Sequence, residues 1–195
     1  MATTATPMGA EPVNTLSASG SYTGKVRHLK IASAYDTAIF YGDFVRVVAA
    51  GTIEKAAVTT SVVAGTIGIF VGCSYTDPST SQLTFNQTFP ADTAASDIMA
   101  YVVDDPKLVF QMQGDEAIAQ TGLGNNVSAV STAGSTTIGR SKNALDGGSI
   151  ATTNTLPLRI VEFVDGPTSS VGDAYTDCLV TYLPLSHAYE TKLGV

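Results

Sequence analysis

The stretch GIFVGCSY, residues 68–75, decides the fold class of this 195-residue chain. Its large side chains are β-branched or aromatic, and these types are enriched in strands. A glycine begins the stretch, and the Asp77-Pro78 pair follows soon after it. Such a short apolar run between turn residues predicts a buried β-strand.

Similar short runs recur along most of the chain. They are rich in Val, Ile, Phe, Tyr and Thr, and Gly, Asp or Pro separates them at short intervals. The further runs are Val26–Ile31, Phe44–Ala49, Thr52–Ala57, Leu83–Phe89, Ile98–Val103, Leu108–Gln113, Leu156–Val164 and Asp177–Leu183. Short strands at this spacing are typical of a sandwich or a barrel. The sequence therefore predicts an all-β fold, a β-sandwich or barrel with one short helix.

Four of these apolar runs are expected to supply the core. They are Phe44–Ala49, Gly68–Tyr75, Leu156–Val164 and Asp177–Leu183. Between runs, Gly42-Asp43 and Ala50-Gly51 have the composition of tight turns. Asp105-Pro106 marks the end of an extended segment, because proline moves the preceding residue out of the helical region. The pattern indicates successive hairpins.

One segment has the features of a short helix. Asp115 and Glu116 suit a helix start, and Gly122 suits its end. We therefore predict a helix of at most two turns over Asp115–Thr121.

The strand pattern is weaker between this segment and the last two runs. Strands are predicted at Asn126–Ser131 and around Thr136–Arg140, followed by a turn at Asp146-Gly147-Gly148. The β-rich domain is predicted to span residues 26–195. It is either one unit or two small modules at about 26–113 and 122–195.

The first 24 residues differ in composition from the rest. They are mainly Ala, Thr, Ser and Gly with two prolines, and they contain few large apolar side chains with which to form a core. We therefore assign residues 1–25 to an extended N-terminal arm and expect it to lie on a neighbouring subunit. Docking on its own domain is the alternative. The apolar anchors of the arm are Met8, Val13, Leu16 and Tyr22.

The charge content argues against some classes of function. Only 14% of the residues are charged, against about a quarter in typical domains, which suits a protein that lies against other protein over much of its area. The formal net charge is −7. Direct contact with nucleic acid is not expected, because phosphate binding relies on clustered Lys and Arg.

The hydropathy pattern bears on location. No stretch approaches the roughly 18 to 20 apolar residues of a membrane span. The N-terminus lacks the basic and apolar regions of a signal peptide. We therefore expect no membrane partner, and we expect synthesis in the cytoplasm without export by a signal peptide.

The cysteines and histidines do not form a recognisable catalytic or metal-binding pattern. Cys73 and Cys178 each lie in a strand-like apolar run, so we interpret them as buried free thiols; a disulfide or a metal pair is the alternative. His28 and His187 have no nucleophile motif nearby and are interpreted as surface or packing residues. The sequence predicts neither an enzyme nor a cofactor.

Two acidic groups have the oxygen ligands that calcium requires. Asp104-Asp105 could join Asp115-Glu116 if a hairpin brings them together, and Asp173 could join Asp177. Neither group has the regular spacing of a calcium loop. We therefore interpret these carboxylates as turn and cap residues and predict no metal site.

Glycine turns and strands follow one another in a particular order from residue 39 onward. The pieces are IFYGDFV (39–45), AGTI (50–53), GIFVG (68–72), YTDP (75–78), the 101–110 stretch around Asp104-Asp105-Pro106, LPLRI (156–160), GDAY (172–175) and His187. This order resembles that in the head cement, or capsid decoration, proteins of tailed bacteriophages. The resemblance covers roughly Ile39 to Val195 and leaves out the arm.

The resemblance implies a late structural protein of the virion that performs no reaction. Such a protein would bind the outer surface of the capsid and bridge neighbouring major capsid subunits, alongside other copies of itself. Many modest contacts around a closed shell would act together. On this interpretation Met8, Val13, Leu16 and Tyr22 are capsid contacts.

Three other functions are compatible with the sequence. The chain could be a neck or tail component of the virion. It could be a carbohydrate-binding or other ligand-binding β module that helps adhesion to a host, although it has no Trp and relies on eight Tyr for aromatic contacts. A metal-assisted hydrolase would have to use the Asp groups named above.

Overall fold

The structure is a computed structural model that describes residues 4–17, 24–59 and 65–191. Within these ranges the regular elements are β-strands and two short 3-10 segments, Gln120–Gly122 and Ala188–Glu190. In chain order the strands are β1 Glu11–Thr15, β2 Arg27–Lys30, β3 Ile39–Phe40, β4 Phe44–Val47, β5 Ile53–Lys55, β6 Thr66–Thr76, β7 Leu83–Asn86, β8 Thr88–Phe89, β9 Met99–Val103, β10 Leu108–Gln113, β11 Asn126–Val130, β12 Ala144–Ala151, β13 Leu158–Phe163 and β14 Asp177–Tyr182.

Most of the strands lie in two antiparallel sheets of six strands each. Sheet I has the order β1-β10-β14-β13-β11-β12. Sheet II has the order β2-β9-β6-β4-β5, and β7 also pairs with β6. The all-β prediction is confirmed. The packed sheets are consistent with a β-sandwich, and their described strands do not close into a barrel.

The main core lies between the two sheets. Phe44 of sheet II contacts Phe110 and Tyr182 of sheet I, with ring centroids 5.6 and 6.2 Å apart. Ile69, Leu158 and further buried side chains of both sheets complete this cluster. All four runs expected to supply the core contribute buried side chains, as the sequence predicted.

Strand β6 is buried on both faces of sheet II. Ile69 belongs to the main core, whereas Phe70, Cys73 and Tyr75 belong to a second cluster that includes Phe89 and other apolar side chains. Side chains alternate between the two faces along the strand, and a register irregularity between Phe70 and Gly72 lets Phe70 and Cys73, three residues apart, lie on the same side. Burial on both faces explains why the GIFVGCSY run is continuously apolar instead of alternating.

The predicted turns around β4 are confirmed. Asp43 N–H donates to the Phe40 carbonyl at 2.9 Å, and Gly42 has a φ of +87°. The β4–β5 hairpin closes through Val48 and Thr52, where Gly51 has a φ of +74°. Glycine tolerates this left-handed region without the strain that a Cβ would add.

The helix predicted over Asp115–Thr121 is wrong. Asp115 N–H donates to the Leu145 carbonyl at 2.9 Å, and Ile118 N–H donates to the Thr176 hydroxyl at 3.1 Å. A helix of at most two turns is marginal on its own. The two contacts fix this segment to distant parts of the chain instead. Only the 3-10 segment Gln120–Gly122 forms.

Two further local predictions are corrected. The segment Thr136–Arg140 is a turn region closed by a bridge between Ser135 and Arg140, and it is not a strand. Asp146-Gly147-Gly148 lies inside β12, although Ser149 Oγ donates to the Asp146 carbonyl at 2.7 Å in the manner of a local turn. The pairing register of β12 shifts across this point, so turn chemistry produces a bulge within a strand.

The sheets do not divide at the proposed module boundary. β10 lies in the first candidate module, 26–113, but it pairs with β14 of the second, 122–195. The main core likewise draws on both halves of the chain.

Part of the N-terminal arm docks on its own domain. β1 pairs with β10, and Ala10 is fully buried in the main core. For residues 11–15 the expectation of an arm lying away from the domain is therefore corrected. The reason is that edge-strand pairing needs backbone groups more than large apolar side chains, which are what the composition lacks.

Candidate functional site

Three of the four predicted arm anchors lie on the surface around β1. The exposed fractions of Met8, Val13 and Leu16 are 46%, 41% and 52%. Tyr22 lies outside the described residues. The β1 segment is held by a salt bridge of 3.1 Å between Glu11 and Arg140. The structure brings these three apolar side chains to one edge of sheet I, and their role as capsid contacts stays a prediction.

A second apolar surface lies on β7. Leu83 and Phe85 are 60% and 68% exposed, and they point to the same face because side chains alternate along a strand. Beside Phe85 is an open groove of about 720 Å³ whose lining includes Asn86, Pro90 and Thr136. We call Leu83, Phe85 and this groove the β7 surface.

The β7 surface was missed at the level of sequence. The run Leu83–Phe89 was predicted as a strand, but its alternation of apolar and polar residues does not say which face meets the core. In the structure Phe89 is fully buried and Phe85 is exposed. The apolar residues Leu83, Phe85 and Phe89 stand at alternating positions that fit a single strand face, so the sequence carries no local signal that separates the exposed pair from Phe89.

The Gly42-Asp43 turn is the contact point between the N-terminal segment and sheet II. Ala10 N–H donates to the Gly42 carbonyl at 2.9 Å. A Cβ on residue 42 would lie 2.8 Å from the Met8 carbonyl oxygen, so only glycine fits this approach.

Asp43 is a fully buried carboxylate with a complete set of partners. Its Oδ2 accepts from Phe40 N–H at 2.9 Å and pairs with Lys55 Nζ at 2.9 Å. Its Oδ1 accepts from the Ser141 hydroxyl at 2.6 Å and from Asn143 Nδ2 at 3.2 Å. Buried charges are tolerated when they are paired and hydrogen-bonded in this way. The sequence pattern predicted only a turn at this position.

A second buried carboxylate, Asp104, anchors the end of the described chain. Its Oδ2 forms a salt bridge with Arg27 Nε and accepts from the Tyr189 hydroxyl at 2.9 Å. Nearby, Lys107 Nζ lies 2.8 Å from Glu190 Oε1. These contacts hold the segment around Ala188–Glu190 against β2 and β9.

The two histidines have the surface and packing roles that were predicted. His28 on β2 is exposed, and its ring lies 4.6 Å from that of Tyr101. His187 is fully buried, and its Nδ1 accepts from Tyr189 N–H at 3.2 Å. Burial lowers the pKa of His187, although the Ile67 carbonyl, Asp104, Glu190 and Asp105 favour its charged form.

The two cysteines are buried free thiols, as predicted. Burial raises the pKa of both Cys73 and Cys178 to about 12. Thiols with such pKa values remain protonated at neutral pH and are poor nucleophiles.

The acidic residues group differently from the first expectation. Asp115 and Glu116 meet Asp146, with one oxygen from each residue within 4.8 Å of the others, and they do not form a ligand group with Asp104 and Asp105. All three are at least partly exposed, and Asp115 Oδ1 accepts from Gly147 N–H at 3.0 Å.

The second acidic group has local backbone roles. Asp173 Oδ2 accepts from Ser170 N–H at 3.0 Å, which agrees with the turn role predicted for this residue. The backbone N–H of Asp177 donates to the Ser169 hydroxyl at 2.9 Å. Burial raises the pKa of the Asp177 carboxyl.

The fold and these surfaces define an all-β, sandwich-like protein with exposed apolar side chains at two sheet edges. No protein-family model, no curated protein and no solved structure matches the chain. Among the described residues there is no helix that is long and apolar enough to cross a membrane.

Proposed function

We propose that this protein is a structural component of a tailed-phage virion, a cement protein that binds the outer surface of the capsid and bridges major capsid subunits. The order of turns and strands in the sequence is one support for this proposal. The observation that carries it is the β7 surface, where two large apolar side chains are exposed on an outer strand.

Outer strands with exposed apolar side chains are unusual in monomeric proteins that bind no partner. An outer strand offers free backbone groups, and proteins normally protect it with charges, bulges or a covering element. Leu83 and Phe85 do not protect β7 in this way. Their burial against a shell of repeated subunits would remove them from water on every copy.

The β1 edge supports the same proposal. Met8, Val13 and Leu16 add exposed apolar area on sheet I, whereas β7 lies on sheet II. A protein with a contact surface on each sheet can touch two neighbours at once. Two modest contacts that are linked in this way bind much more tightly than either contact alone.

The first test is the abundance of the protein in particles of the virus that encodes it. Quantitative mass spectrometry should find it in numbers comparable to those of the major capsid protein. A few copies per particle would indicate a neck or tail component, and absence from purified particles would overturn the proposal.

The second test uses variants on particles that lack the protein. Phe85→Ser should reduce occupancy on such heads, because it removes the central apolar contact of the β7 surface. Leu123→Ser is the matched control, since Leu123 is also exposed, at 46%, but lies outside the β7 surface. Equal occupancy of both variants would count against the β7 surface as the attachment site.

The groove beside Phe85 favours one alternative function, saccharide binding. An exposed aromatic ring can stack on a sugar face, and Asn86 and Gln87 in the groove lining offer amide donors and acceptors. Titration calorimetry with host surface glycans should then show binding that Phe85→Ser abolishes. Saccharide binding together with low copy number would favour adhesion over capsid cementing.

A further inference from the structure

The Asp43 carboxylate holds a primary amine and a primary amide side by side. Lys55 Nζ lies 2.9 Å from Oδ2, and Asn143 Nδ2 lies 3.2 Å from Oδ1. The Lys55 side chain is 14% exposed, while Asp43 and Asn143 are 0% and 1% exposed. Lys55 ends β5 of sheet II, and Asn143 directly precedes β12 of sheet I, so the three residues span both sheets.

We propose that Lys55 and Asn143 join in an intramolecular amide bond, with Asp43 carrying the proton. This reaction is independent of the proposed function. It makes Asp43, Lys55 and Asn143 a self-modification site, because an amine, an amide and a bridging carboxylate are the groups that such a transfer requires.

The reaction balances without an oxidant or a second reactant. Asp43 Oδ2 takes a proton from the Lys55 ammonium, and the free Nζ lone pair attacks Cγ of Asn143. The tetrahedral adduct passes its extra Nζ proton to the carboxylate as Asp43 protonates Nδ2. The Cγ–Nδ2 bond then breaks and releases ammonia, which takes the remaining proton from Asp43 and departs as ammonium. Asp43 ends as a carboxylate, so it acts as general base and general acid.

The amide carbonyl has a hydrogen-bond donor where negative charge develops. Asn143 Oδ1 accepts from the backbone N–H of Thr132 at 3.0 Å. A fixed donor at this oxygen polarises the carbonyl and stabilises the oxyanion of the adduct. A buried structural amide needs only some donor for Oδ1, but this donor also suits attack at Cγ.

The carboxylate is fixed from outside the reacting pair. Phe40 N–H and the Ser141 hydroxyl bind Oδ2 and Oδ1 at 2.9 and 2.6 Å. Lys55 Nζ lies 5.9 Å from the centre of the Phe40 ring, so an apolar surface flanks the amine. Restricted water access favours the amide product over hydrolysis of the adduct, and fixed groups lower the entropic cost of attack.

The test is the intact mass of the purified full-length protein under denaturing conditions. The expected mass is lower than the sequence mass by one ammonia. Tryptic peptides should include a branched species in which Lys55 is uncleaved and joined to the peptide that contains Asn143. A folded protein with the full sequence mass would overturn the proposal.

Variants separate this bond from other mass losses. Lys55→Arg keeps a cation beside Asp43 but cannot form the bond, so its mass should equal its full sequence mass. Lys107→Arg is the matched control, because Lys107 also pairs with a carboxylate, that of Glu190, but at an exposed position. This variant should still lose one ammonia. Two results would overturn the proposal. One is loss of ammonia in Lys55→Arg, which would indicate a cyclised asparagine. The other is loss of water in the wild type, which would indicate a bond between Asp43 and Lys55.

Asp43→Ala tests the proton carrier. It should keep the full sequence mass even after prolonged incubation. Because this change also removes a buried charge, circular dichroism must show that the variant is folded. If it does not fold, the mass of Lys55→Arg and the branched wild-type peptide still decide the proposal.

Discussion

Two outer strands of sheet II, β2 and β7, expose opposite kinds of side chain. β2 exposes Arg27, His28 and Lys30, whereas β7 exposes Leu83 and Phe85. Charged side chains on an outer strand oppose pairing with another chain, and apolar ones favour it. The difference indicates that the side chains of β2 disfavour pairing with another chain, whereas those of β7 do not.

The cations of β2 also have a structural task. Arg27 reaches the buried Asp104 and lies 5.6 Å from the centre of the Tyr189 ring, so it helps to fix the last described segment. The β7 surface has no comparable buried partner among the contacts described for Leu83 and Phe85. Changes at β2 should therefore affect stability, and changes at β7 should affect binding.

The largest effect is expected from removing a third outer strand, β1. Deletion of residues 2–17 should lower the free energy of unfolding by about 2–4 kcal/mol, because it removes several backbone hydrogen bonds and the buried Ala10. Urea titration of both proteins measures the change. Unchanged stability would instead restore the original expectation of an arm that serves only a neighbour.

The second effect concerns the inward role of β2. Arg27→Met should cost about 1–3 kcal/mol, because it leaves the buried Asp104 with fewer charge-stabilising partners. Lys30→Met on the same strand is the control and should stay within about 0.5 kcal/mol. Thermal unfolding of both variants makes the comparison, and equal losses would show that Arg27 has only a surface role.

The third effect is a pH dependence at His187. Its folded pKa is lowered mainly by burial, so the unfolded chain binds the proton more readily. The stability that neutral, buried His187 contributes is therefore complete above its unfolded pKa of about 6.5. It is lost as the pH falls from there toward the lower pKa of the folded state.

His187→Gln tests this dependence. Between pH 7.5 and 5, the wild type should lose more free energy of unfolding than the variant. His28→Gln, at an exposed position, should behave like the wild type. Urea titrations at constant ionic strength provide the measurement, and parallel curves for the wild type and His187→Gln would contradict it.

The sequence predicted strands well where apolar runs determine them. β6, β10, β13 and β14 follow runs whose burial is decided by their own side chains. β12 was missed because Asp146-Gly147-Gly148 has the composition of a turn. In the structure these residues form a bulge where β12 pairs with β11. The predicted helix failed because a segment of at most two turns is marginal on its own, and long-range contacts with Leu145 and Thr176 fix its position instead.

The candidate sites were less predictable because they depend on long-range pairing. Asp43 was visible as a turn residue, but its contacts with Ser141 and Asn143 join positions about a hundred residues apart. No local pattern links these residues. The apolar surface at β1 was foreseen from its residues, whereas the exposed face of β7 depends on how β6 orients it.

The smallest effect on stability, and the most informative one, is expected when β7 is made to resemble β2. Phe85→Lys should change the free energy of unfolding by no more than about 0.5 kcal/mol, because the side chain is 68% exposed. It should nevertheless reduce attachment to heads that lack the protein, since a charge then replaces the central apolar contact. Lys30→Phe on β2 is the reverse change and should promote self-association, which light scattering detects. Should Phe85→Lys unfold the protein, Phe85 would belong to the core, and the contrast between the two outer strands would not hold.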